Sequence, residues 1–226
     1  MAGVSMVSAA ETFAGEGFCS FVFVPWLLVR LSGVPPVQRV RSGRYDGAMK
    51  TAVLVIDVQR GLCDDPPRPH EAEAVMQRIN ALTGRARASG VPVAFIQHEN
   101  AVDLEFDSER WQLASALDTD SRDAKIRKTT PDSFLRTPLE AWLAQHGVKR
   151  VVVCGYSSEF CVDTTTRRAA ALGYEVVLAA DAHTSHDKAH ATGAQIRAHH
   201  NATLSDITSF GVPIRAVPAA DIVLSD

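Results

Sequence analysis

Three side chains that lie far apart along the chain have the right types to activate a thiol. Asp57 closes the apolar run TAVLVID (51–57), Lys128 closes AKIRK (124–128), and Cys161 follows the run RVVVCG (150–155). A thiol attacks as its thiolate, so it needs a group to take its proton or a cation to lower its pKa. Asp57 supplies the first and Lys128 the second. Taken singly, each residue has an ordinary reading. An Asp after a strand caps a turn, a Lys is a solvated charge, and a Cys is a small buried hydrophobe. In a parallel α/β sheet, however, residues at the carboxyl ends of strands converge on one edge, where ligands bind.

The elements needed to position these residues are legible in the pattern. Strands are expected at 51–57, 91–97, 150–155 and 175–181, with shorter ones at 124–128 and 212–217. The continuous apolar character of the runs at 51–57 and 150–155 is that of strands buried on both faces. Helical spacing runs from 71 to 88 (Ala74, Val75, Ile79, Leu82) and closes at Gly90. The sequence Thr137-Pro138-Leu139-Glu140 has capping-box form with Pro at the first helical position, and its helix closes at Gly147. A helix opening at Cys161 and stopping at Gly173 places the thiol at a helix N-terminus, whose positive end favours thiolate. A further helix is expected over 188–201. Residues 61–70 read as loop, and 98–124 as a long polar connection with a short helix at 111–117. A connection of that length in a compact domain is usually functional. Alternating strands and helices give an α/β fold, a mainly parallel central sheet between two helical layers.

The chain has 226 residues and a formal net charge of −3, with no basic block, which argues against nucleic acid as a partner. Its four cysteines (Cys19, Cys63, Cys154, Cys161) lack metal-site or disulfide-scaffold spacing, so a reducing, cytoplasmic setting is expected. Cys154 falls within a strand and reads as core. Cys63 falls in a loop, with nothing near it to activate it. Residues 1–48 read as a non-core extension, with Met49 the natural start of a domain covering 49–226. The apolar run at 18–29 is shorter than the roughly 20 residues of a membrane span, and no membrane partner is expected.

Three blocks, IDVQRGL (56–62), KTTPDSF (128–134) and CGYSSEFCVDTT (154–165), resemble the signature segments of the isochorismatase-like cysteine hydrolases, as do DAHTSHD and QIRAHHNATLS further on. The resemblance spans about 51–220. It implies a three-layer α-β-α, Rossmann-like fold and an Asp57, Lys128, Cys161 triad. It also implies a cis peptide between Tyr156 and Ser157, and an oxyanion hole built from the N–H groups of Ser157 and Cys161. In this picture Asp57 shuttles the proton and Lys128 holds Cys161 as thiolate. Because cysteine is present at 161, the resemblance favours C–N hydrolysis of a small amide, ureido compound or lactam through a thioester. The alternatives are vinyl-ether hydrolysis and a non-catalytic binding protein on the same fold. Family members commonly form homodimers or homotetramers.

The chain departs from the metal-binding nicotinamidase pattern. Gln97-His98-Glu99-Asn100 lacks the paired Asp-x-His of those enzymes, so no metal or other cofactor is expected. Candidate substrate-binding residues are Gln59, Leu62, His98, Trp111, Phe134 and Tyr156. Trp111 is placed to close the pocket or simply to pack a helix, and Phe134 to wall the site. Glu159, two residues before the thiol, reads as structural. His186 and His190 would share a helix face at i,i+4, but without a third ligand they read as solvated or structural, as do His183, His199 and His200.

Overall fold

The computed structural model describes residues 49–224. The expected extension at 1–48, with Cys19 and the apolar run at 18–29, lies outside the described residues. Six strands form one sheet: β1 (Thr51–Ile56), β2 (Val93–His98), β3 (Ala124–Lys128), β4 (Arg150–Tyr156), β5 (Glu175–Thr184) and β6 (Ile214–Val217). Their order is β3-β2-β1-β4-β5-β6, and every pairing is parallel. The chain winds outward from β1 in one direction and from β4 in the other. The β1/β4 boundary is therefore the switch point where open α/β sheets bind ligands.

Five α-helices join the strands: α1 (Arg60–Cys63), α2 (Ala72–Ala88), α3 (Leu139–Gln145), α4 (Asp163–Ala171) and α5 (Gly193–Ser205). On one face of the sheet, Val53, Val55, Phe95, Val152 and Cys154 pack against Val75, Met76, Ile79, Leu82 and Ala86 of α2. On the other, Leu54, Ile56, Ile96, Ile126, Val151 and Val153 pack against Leu139 and Leu143 of α3, Ala169 and Ala170 of α4, and Leu204 of α5. Alternate strand residues feed opposite cores, so the central strands read as unbroken apolar runs. Each fully buried Leu or Ile contributes about 1.5–3 kcal/mol by leaving water. This is the expected three-layer α-β-α fold. Among the described residues, no helix is long and apolar enough to cross a membrane.

Some elements fall differently from expectation. Residues 60–63 form a short helix, and Cys63 is buried there, so its exposure is settled against a reactive role. No helix forms at 111–117. That stretch is tied down instead by a Gln59–Leu113 bridge and by the Asp64 carboxylate, which accepts from the Ser115 N–H. Polar side chains that offer bonds to the backbone compete with helix formation in this way. α3 lacks the reciprocal capping box. The Thr137 hydroxyl accepts from the Leu139 N–H but donates to the Ser133 carbonyl, and no side-chain bond caps the helix start at Pro138. The last helix begins at Gly193 rather than 188, behind a full capping box between Thr192 and Gln195. His186 and His190 therefore do not share a helix face. β5 continues past Asp181 to Thr184, with a register shift against β4 between Val153 and Gly155.

At Gly155 the backbone of β4 runs hard against Ile56 of β1. The glycine's φ is +117°, and a Cβ there would lie 2.1 Å from the Ile56 carbonyl oxygen. Only glycine fits directly beneath the switch point.

Candidate active site

Asp57 follows β1 in the left-handed region (φ 51°), which an Asp tolerates better than most residues, and its N–H donates to the Ile96 carbonyl. Lys128 ends β3. The Asp57 and Lys128 side chains are 2% and 0% exposed. The Lys128 Nζ donates to Asp57 Oδ2 at 2.7 Å and to Cys161 Sγ at 3.2 Å, and lies 3.3 Å from His98 Nδ1. An ammonium carries three protons and here meets three acceptors. The strand ends thus bring together the three residues singled out in the sequence, with His98 as a fourth.

Two consequences follow. His98 Nδ1 accepts from Lys128, so its neutral ring carries the proton on Nε2. Burial and the Lys128 charge both hold it below the ordinary histidine range. On the carboxylate, Lys128 uses Oδ2 alone, while Asp57 Oδ1 is buried with no hydrogen-bond partner. It is an acceptor without a donor beside the thiol.

Opposing influences act on the thiol. Burial and then the Asp57 carboxylate push the Cys161 thiol up to about 12, and Lys128 pulls the other way without prevailing. One ammonium shared among three acceptors does not offset the desolvation of a second anion beside Asp57. Cys63 and Cys154 are also pushed up to about 12 by burial, with no cation nearby.

Cys161 lies on a π-helical turn, Ser158–Val162, that precedes α4, so the helical stretch starts three residues earlier than expected. The Ser157 carbonyl accepts from both the Phe160 and the Val162 N–H at 3.1 Å, and the second bond, spanning five residues, makes the π turn. The Tyr156–Ser157 peptide is cis, as the resemblance implied. Ser157 is buried, and among the described residues its N–H has no hydrogen-bond partner.

The expected substrate-binding residues divide. Gln59 is fully buried and faces backbone. Its Nε2 donates to the carbonyls of His98 (2.9 Å) and Trp111 (2.8 Å), and its Oε1 accepts from the His98 N–H (2.8 Å). It braces the ends of β1 and β2 against the long connection, and no group is left for a ligand. Gln59→Leu is expected to lower unfolding stability by about 2–4 kcal/mol, since it orphans two buried groups of His98 at roughly 1–3 kcal/mol each. Urea denaturation checks this, and an unchanged midpoint would remove the brace from the account.

Trp111 is buried edge-on to Phe106, with ring centroids 5.0 Å apart. It lines a pocket of about 250 Å³ with Arg60, Gln97 and Lys125, and that pocket includes none of the triad. Phe134 is buried and stacks on Tyr174 at 6.0 Å in the core face that also receives Cys161. Leu62 packs on the α2 side of the core. The half-buried Tyr156 donates its hydroxyl to His186 Nδ1 at 2.8 Å, and His186 Nε2 donates to the Pro67 carbonyl at 2.7 Å. Glu159 is structural: it accepts from the Ser185 hydroxyl and pairs with Lys188 at 3.4 Å. Glu99 is engaged by Arg127 at 2.7 Å, and His98 turns its free lone pair to Lys128.

Reading residues singly missed a polar group beside the thiol turn: the buried Ser158 and His183 and the partly buried Asn201. They come from three separate segments, and only the fold brings them together.

A parallel sheet wound about a switch point, with a thiol, a carboxylate and an ammonium gathered on it, defines the α/β class of proteins with a cysteine at the strand ends. Residues 51–209 match the isochorismatase domain, and the chain belongs to the isochorismatase family. It is similar to a streptothricin hydrolase of Streptomyces noursei, 38% identical over 139 residues that cover 60% of this chain and 50% of that protein. It is also similar to an uncharacterized isochorismatase family protein of Escherichia coli O157:H7, 33% identical over 150 residues covering 60% of this chain and 80% of that one. The crystal structure of an isochorismatase family protein matches with a TM-score of 0.68 and 34% identity, over 74% of this chain and 97% of that one. The chain spans about half the length of the streptothricin hydrolases it matches.

Proposed function

We propose that the chain is a cysteine hydrolase that cleaves the C–N bond of a small amide, ureido compound or lactam. The observation that carries this reading is the Lys128 ammonium bonded to both Asp57 and Cys161, with Asp57 Oδ1 left without a partner. Similarity to streptothricin hydrolases supports an amide-type substrate.

In the proposed cycle, Asp57 Oδ1 takes the thiol proton as Sγ bonds to the carbonyl carbon. The free Ser157 N–H and the Cys161 N–H take the developing oxyanion. The C–N bond breaks as Asp57 returns that proton to the departing nitrogen, leaving a thioester. Water then attacks the thioester carbonyl, Asp57 takes a proton from it, and the acid leaves as the thiol reforms. Lys128 offsets each negative charge as it forms on sulfur and keeps the carboxylate aimed. The free cysteines suit a reducing cytoplasm, and the assembly proposed is a homodimer or homotetramer.

The test is a panel of small carboxamides, ureido acids and lactams, streptothricin included, assayed for ammonia, amine or acid release with and without a chelator. Mass spectrometry of acid-quenched protein follows acyl adducts. Release unaffected by the chelator, with an acyl mass on the peptide containing Cys161, is the expected result. Turnover with no adduct and no dependence on the thiol would favour vinyl-ether chemistry. Silence across the panel with an unreactive thiol would favour a binding protein.

A further inference from the structure

Behind the turn that carries Cys161 lies a chain of hydrogen bonds that the proposed cycle does not use. Ser158 Oγ is 2.7 Å from His183 Nδ1, and His183 Nε2 is 2.8 Å from Asn201 Oδ1. Asn201 Nδ2 donates to the Ala180 carbonyl at 2.8 Å. Ser158 and His183 are fully buried. The direction of each bond is determined. Ala180 offers only an acceptor, so the Asn201 amide nitrogen must face it and Oδ1 must face the ring. His183 Nε2 therefore carries the proton, and Nδ1 of the neutral ring accepts from the Ser158 hydroxyl. Burial keeps the ring neutral, with its pKa lowered to about 4.

Ser158 cannot act as a second nucleophile, because it has no access to solvent. Its position suggests another task. It is joined to Ser157, whose N–H is the free donor beside the thiol, and it opens the π turn that ends just past Cys161. The turn is thereby fastened to β5 through His183 and to α5 through Asn201.

We propose that His183 and Asn201 are positioning residues that hold the Ser157–Cys161 turn through the Ser158 hydroxyl, so that its N–H groups face the reacting carbonyl. This deepens the amide-hydrolysis reading and rests on it. The network acts on the oxyanion and not on the sulfur. Thioester formation needs the aligned N–H groups, whereas alkylation by iodoacetamide needs only the thiol.

Full-length Ser158→Ala and Asn201→Ala proteins are compared with wild type on the best substrate from the panel. The expected result is a fall in kcat of about 10- to 100-fold, within the range of a weakened oxyanion donor. KM is expected to stay within about threefold and the iodoacetamide rate at Cys161 within about twofold. Ser158→Thr, which keeps the hydroxyl, should recover most of the kcat. Equal losses of turnover and alkylation would make the network a general support of the fold and overturn the proposal. So would an unchanged kcat in either alanine variant. If wild type cleaves nothing, the functional reading fails separately, and positioning is then read by amide hydrogen exchange. Exchange at Ser157–Cys161 at least tenfold faster in Ser158→Ala, with β1 unchanged, supports it. Equal exchange overturns it.

Discussion

Cys161→Ala is expected to abolish amide turnover, by about 10⁴-fold or more, while the protein keeps its fold. A loss of that size corresponds to about 5.5 kcal/mol of barrier, which is what removing the covalent route entails. The structure explains why the fold should survive. Lys128 loses one of three acceptors but keeps Asp57 at 2.7 Å and His98 at 3.3 Å, so no charge is left unpaired. The side chain removed is small and only partly buried. A change in melting temperature of no more than about 4 °C is expected, the shift that about 1 kcal/mol makes in a protein of this size. Ammonia or acid release, thermal melts and mass spectrometry for the acyl adduct check the three parts together. Turnover above about one per cent of wild type in a folded Cys161→Ala protein would remove the thiol from the mechanism and leave water activated by Asp57, or ether chemistry, as the alternative.

The parts of this molecule legible in the sequence are those governed by local pattern or by strand ends. Unbroken apolar runs such as AVLVI and VVVC mark strands buried on both faces, and their alternation with helices implies the parallel sheet, to which the shorter, more polar segments at 124–128 and 214–217 add the edges. Asp57, Lys128 and Cys161 were recoverable because a parallel sheet delivers the residues after its strands to one edge, whatever lies between them. Gln59 was not. A polar residue two past a strand looks like a ligand contact, yet its amide is consumed by backbone groups 39 and 52 residues away. Residues 98–124 were opaque for a related reason. Their shape comes from bonds between side chains and backbone, such as Asn100 Oδ1 accepting from the N–H groups of Val102 and Asp103, rather than from any periodic pattern. Desolvation was equally opaque: counting nearby charges and a helix end leaves it out, and it is the first cause of the upward shift at Cys161. The network of Ser158, His183 and Asn201 needed three segments that only the fold brings into contact.

Asp57→Asn should separate the two things Asp57 does, because they have opposite signs. The carboxylate raises the Cys161 pKa, and Lys128 lowers it. Removing the negative charge leaves the ammonium unopposed, so the thiol pKa falls from about 12 and the thiolate fraction near neutral pH rises. Each unit of lowering raises that fraction tenfold but costs roughly threefold in intrinsic nucleophilicity, a net gain of about threefold per unit. Iodoacetamide should therefore label Cys161 in Asp57→Asn faster than in wild type at pH 7.5, and the pH–rate curve should move to lower pH. Amide turnover should move the other way, falling about 10²- to 10⁴-fold, since an amide is not a base that can take the thiol proton and return it to the departing nitrogen. The Asn oxygen can still accept from Lys128, so the ammonium keeps a partner and the variant remains testable as a folded protein. Faster alkylation with lost turnover is the signature of a carboxylate that works by moving a proton. Slower alkylation with lost turnover would mean that Asp57 also drives thiolate formation in the resting site, and that the balance of charges on Cys161 is the reverse of the one argued here.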